Sequence, residues 1–82
     1  MKVYLDDCGE KRLVGRADVP DSIGPLLEVP LFGAGSVIRE QFVIGTVTHL
    51  RPSGGFPVVE RAVLLAPGQP PELLPGWQPL AS

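Results

Sequence analysis

With 82 residues, the chain has room for one small domain, in which a single core outweighs the ordering entropy by only about 5 kcal/mol. A hydrophobic fraction of 44% with 20% charged residues excludes disorder over the whole length. The net charge of −2, from seven Lys and Arg against nine Asp and Glu, lacks the electrostatic footprint of a general nucleic-acid binder.

At the N-terminus, Val3 and Leu5 alternate with Lys2, Tyr4 and Asp6, which predicts a short strand ending where Asp7-Cys8-Gly9 supplies turn chemistry. A second strand is expected from Lys11 to Val19, antiparallel to the first. Simple alternation places Leu13, Gly15, Ala17 and Val19 on one face and Arg12, Val14, Arg16 and Asp18 on the other. Gly15 leaves a gap on the inner face, marking a bend, a bulge, or a place where an aromatic such as Phe42 packs. Lys11, Arg12 and Arg16 lie close in sequence to Asp6, Asp7 and Glu10, so a mixed, solvated surface is expected there in preference to a phosphate site.

Two prolines and a glycine in Pro20-Asp21-Ser22-Ile23-Gly24-Pro25 oppose both a continued helix and a central strand, which predicts a loop or a single helical turn. Leu26 to Phe32 is apolar but contains Pro30, which lacks a ladder donor, so an edge strand or an extended segment covering the core is expected in preference to a helix. Gly33-Ala34-Gly35-Ser36 then forms a turn. It has no Walker lysine and precedes a strand, so it is not a phosphate cradle.

The most informative stretch is Val37 to Leu65. Two β-branched-rich runs, Val37 to Leu50 and Val58 to Leu65, flank the turn-forming segment Arg51 to Pro57 and predict a long hairpin. The middle of each run is apolar on both faces, so both faces require cover. Arg39, Glu40, Glu60 and Arg61 are expected to pair across this hairpin as surface ions.

Residues Pro67 to Ser82 contain five prolines and two glycines, which predicts an extended backbone without regular helix or internal strand. This tail still carries Leu73, Leu74, Trp77 and Leu80. Burying one such Trp or Leu side chain contributes on the order of 2 kcal/mol, so the tail should dock on its own domain, on a sister subunit or on another protein.

No catalytic constellation emerges. His49 is the only histidine, and none of Ser36, Ser53, Thr46, Thr48 or Cys8 lies in a nucleophile-elbow pattern. Cys8 sits among carboxylates that disfavour its thiolate. One Cys and one His do not make a zinc site, and Asp6, Asp7 and Glu10 lack the spacing of a calcium loop. No catalytic, cofactor or metal residue is therefore assigned, and no cofactor is expected. No apolar run approaches the roughly 20 residues of a membrane span, and the first residues lack the apolar core of a signal peptide. Together with the single cysteine, this leads to the expectation of a soluble, cytoplasmic protein.

The expected fold is all-β: a small antiparallel partial barrel or sandwich of four to five strands over residues 1–66, with residues 67–82 as an extended, proline-rich tail. The expected function is a non-enzymatic interaction or self-assembly module, either a homo-oligomer or bound to an unknown protein partner. Its candidate interface comprises Phe42, Val43, Val47, Val59 and Val63 of the hairpin, with Leu73, Leu74, Trp77 and Leu80 of the tail. Two other readings compete: an oligomeric enzyme with an inter-subunit site around His49 and Glu40 or Glu60, and a β module that binds a nucleic-acid strand or a peptide through Arg51 and Phe56.

Overall fold

The computed structural model describes residues 1–33 and 35–81; Ala34, within the predicted turn, and Ser82, at the end of the tail, lie outside the described residues. The chain is almost wholly β. Strands β1 (Lys2–Asp7) and β2 (Glu10–Arg16) form the first hairpin, followed by β3 (Leu26–Gly33), β4 (Ser36–His49), β5 (Val58–Leu65) and the two-residue β6 (Gln78–Pro79). They build one curled half-barrel sheet in the order β3-β4-β5-β1-β2-β6.

The expectation of four to five antiparallel strands is corrected in two respects. β1 lies parallel to β5, with Lys2 beside Ala62 and Leu5 beside Leu65, so the sheet is mixed. The N-terminal hairpin thereby extends the sheet from β5 instead of covering its face. The sixth strand comes from the tail, where Gln78 and Pro79 pair with Arg16 and Gly15 at the edge.

The first turn follows from local chemistry. Cys8 and Gly9 both have positive φ, 52° and 86°, the backbone of a two-residue turn whose twist matches the flanking strands. β2 ends at Arg16, three residues short of Val19, and contains a bulge: Val3 opposes Gly15 while Tyr4 opposes Leu13, leaving Val14 as the extra residue. Leu13 and Gly15 therefore do not share a face, because the bulge reverses the alternation between them. The aromatic over Gly15 is Trp77, not Phe42. A Cβ built on Gly15 would meet Trp77 Cη2 at 2.5 Å, so the indole seats where a side chain is missing.

Both faces of the sheet are apolar, and the chain covers each differently. The main core contains Val3, Phe42, Ile44, Val63 and Leu65 of the sheet, over which Ala17, Val19 and Leu74 close. Ile23, Leu73 and Trp77 pack around its rim. Backbone bonds from Asp18 to the Pro75 carbonyl and from Leu80 to the Val14 carbonyl hold residues 74–80 in place. On the opposite face Tyr4, Val47 and Ala62 form a smaller cluster with Leu13 and Leu64. There the curl itself provides cover, and Lys11 Nζ reaches across to the Thr46 carbonyl at 3.3 Å.

β4 is twice the usual strand length, and its two halves have different neighbours. Residues Ser36 to Val43 pair with β3, whereas Val43 to His49 pair with β5. The outer half of the β3–β4 hairpin consequently projects from the body as a two-stranded ribbon. The radius of gyration is 14.2 Å, against about 12 Å for a compact chain of this length, and the extents are 55 × 29 × 24 Å.

Candidate functional site

Two regions could carry function: a polar cluster on the strands near the N-terminus, and the projecting ribbon. The cluster forms where β1, β4 and β5 meet. Glu60 Oε2 accepts from His49 Nε2–H at 3.0 Å and lies 3.5 Å from Lys2 Nζ, and the Tyr4 hydroxyl stands 3.4 Å from the same His49 nitrogen. Partial burial raises the Glu60 carboxyl, but the His49 hydrogen bond and the Lys2 charge outweigh it, leaving Glu60 below the ordinary carboxylate range.

Chemically, the cluster is a neutralised ion pair with a histidine attached. Of the two carboxylates considered with His49, Glu60 converges on it and Glu40 does not, since Glu40 accepts from the Gln69 side chain on another part of the molecule. Thr48 projects from the face opposite His49, as strand alternation requires, so its hydroxyl stays apart from the imidazole, and the hydroxyl beside that ring is the Tyr4 phenol. Among the described residues, no group of three or more His, Cys, Asp and Glu side chains could hold a metal ion. Likewise, no described helix is long and apolar enough to cross a membrane.

The expected ion pairs across the β4–β5 hairpin do not form. Pairing of those strands begins only at Val43, so Arg39 and Glu40 have no β5 neighbour. Arg39 instead binds Glu28 on β3 at 2.8 Å, and Gln41 donates to the other Glu28 oxygen at 3.2 Å. The Arg39 bond, the Gln41 bond and the Arg39 charge together hold the Glu28 carboxyl below its ordinary range. Arg61 donates to the Asp21 and Ile23 carbonyls and pins the 20–25 loop.

The residues of the expected interface fall into two groups. Phe42, Val47, Val63 and Leu74 are buried within the chain's own clusters, with Leu73 and Trp77 packed partly against them, so they offer little or no surface to a partner. Val43, Val59 and Leu80 are exposed, but on different parts of the sheet. Phe56, at the β4–β5 turn, is almost fully exposed, while the Arg51 side chain lies against Gly55 of the same turn.

The ribbon is the region that sequence reasoning missed. At its outer end Phe32 opposes Val37 on one face and Leu31 opposes Ile38 on the other. Phe32 is 85% exposed, Val37 58% and Ile38 59%, so large apolar side chains stand in solvent on both faces. The available signal was the mismatch in length between the 14 residues of β4 and the 8 of each neighbour: a strand that long cannot be paired on both edges throughout.

Comparison with family models, with curated proteins and with solved structures returned no match for this chain.

Proposed function

We propose that the protein is a non-enzymatic interaction module that binds through the β3–β4 ribbon, with self-association as its first activity. The observation that carries this reading is the exposure of Phe32, Val37 and Ile38 at the outer end of an arm whose packing against the main core, through Leu27 and Val29, is confined to its base. Isolated surface apolar residues are ordinary, but a projecting element with apolar side chains on both faces marks an interaction site. The polar cluster supports the non-enzymatic part of the reading, because its carboxylate is neutralised by Lys2 and His49 and is not left free to act as a base.

The double substitution Phe32→Ser, Ile38→Thr tests the proposal. Neither side chain belongs to a core cluster, so the monomer should melt within about 1 kcal/mol of the parent. Sedimentation velocity should show association in the parent and its loss in the variant. A parent chain that sediments as a single protomer at every concentration, both alone and when recovered from the cells that make it, would refute the proposal.

A further inference from the structure

Resting on that reading, we propose that the partner is a second copy of this chain, joined through the open edge of β4 over residues 36–40 in an antiparallel, two-fold symmetric strand pair. Among the described residues, β4 has no neighbour on that edge before Val43. The Ile44 amide donates to the Pro25 carbonyl on the β3 side. By strand alternation the even-numbered residues of β4 therefore bond toward β3, and the amides and carbonyls of Val37 and Arg39 point to the open edge. Gln69 marks where this edge begins, since its side chain donates to the Gln41 carbonyl.

The two outermost strands, β3 and β6, are each interrupted by a proline. On β3 the same alternation directs Pro30 outward, and a proline there removes the donor that an added strand needs. Beyond β2, the last strand is two residues long and ends in Pro79. On β4 the charges that commonly guard an edge are already engaged within the chain: Arg39 by Glu28 and Glu40 by Gln69.

Charge and symmetry narrow the register to a centre at Val37 or Ile38, and only the Ile38 centre satisfies the free groups of Val37 and Arg39 within β4, since the Val37 centre sets Arg39 against Gly35. Pairing centred on Arg39 or Glu40 would set like charges directly opposite each other, which is unfavourable. Centring on Ile38 places Ile38 against Ile38 of the second copy, Val37 against Arg39 and Ser36 against Glu40, with no like charges opposed. Val37 and Arg39 then exchange their free backbone bonds on both sides of the axis, and Leu31 and Ile38 of the two copies make one continuous apolar row. Each interface is self-complementary, as a two-fold contact requires. The incoming strand lies in line with β5, whose chain turns away at Ala66 and leaves the position free.

Two variants and one cross-link test this. Val37→Pro removes an amide that makes no bond within the chain, so the fold should persist while self-association weakens by about tenfold or more. In a Cys8→Ser background, Ile38→Cys should oxidise to a covalent dimer, because residues opposed across the axis at a non-bonded pair lie about 4.5 Å apart at Cα, within disulfide range. Glu40→Cys in the same background should not. A parent chain that is monomeric at about 100 µM, where contacts at the small end of the range are populated, would overturn the proposal. So would dimers that survive Val37→Pro and fail to cross-link at position 38. If those dimers were still abolished by Phe32→Ser, Ile38→Thr, the ribbon would remain the interaction surface and only the edge pairing would fall. Formation of the position-38 disulfide does not depend on the proline variant folding.

Discussion

Leu74 reaches the main core from a segment with almost no regular structure of its own, and it is 3% exposed there beside Phe42 and Val63. Leu74→Ala should cost about 3 kcal/mol, measured by denaturant unfolding. At the other extreme of packing, Gly15→Ala adds a methyl where Trp77 already sits, so it should destabilise by about 1–3 kcal/mol and increase the exposure of Trp77, read from its fluorescence. Cys8 occupies a left-handed backbone position that Asn adopts more readily, so Cys8→Asn should raise stability by about 0.5 kcal/mol. Glu60 supplies the pH dependence. Its folded-state value lies below the ordinary 4.5, so its contribution is complete above that pH and is lost as pH falls through the folded value. Glu60→Gln should therefore narrow its stability gap to the parent as pH drops below 4.5, and a gap that stays constant with pH would contradict the assignment.

At the scale of elements, removing everything after Ala66 deletes Leu74 and Trp77 and strips β6 from β2. The truncated chain should lose cooperative unfolding, as followed by circular dichroism during heating. Period-two alternation and turn chemistry made most strands legible in the sequence: the first hairpin, the Pro30 edge strand and the long β4–β5 hairpin all follow from residue pattern. Other features could not be read that way. A bulge at Val14 shifts register without altering composition, and alternation alone assigned Leu13 to the wrong face. The parallel β1–β5 contact joins segments more than fifty residues apart, which no local pattern encodes. Of the expected interface, the apolar character was legible but its distribution was not: Phe42 and Val63 became core, whereas Phe32 and Ile38 were left in solvent because β4 outruns both neighbours.

The whole molecule is a compact half-barrel with a long arm. Its body covers most of its own apolar faces through the sheet curl, the 17–23 segment and residues 71–77, and the most exposed apolar side chains are left on the ribbon and the β4–β5 turn, with Val43, Val59 and Leu80 exposed singly elsewhere. The outer end of the arm, with Phe32, Val37 and Ile38, contributes no side chain to the buried core, and the proposed association would give its apolar content a use. Amide hydrogen exchange, resolved by residue and repeated over a range of protein concentrations, tests this most directly. Protection at Val37 and Arg39 should rise with concentration while that at Phe42 and Ile44, already bonded within the body, stays constant. Equal, concentration-independent exchange along the whole of β4, or concentration-dependent protection confined to the turn around Phe56, would contradict the account.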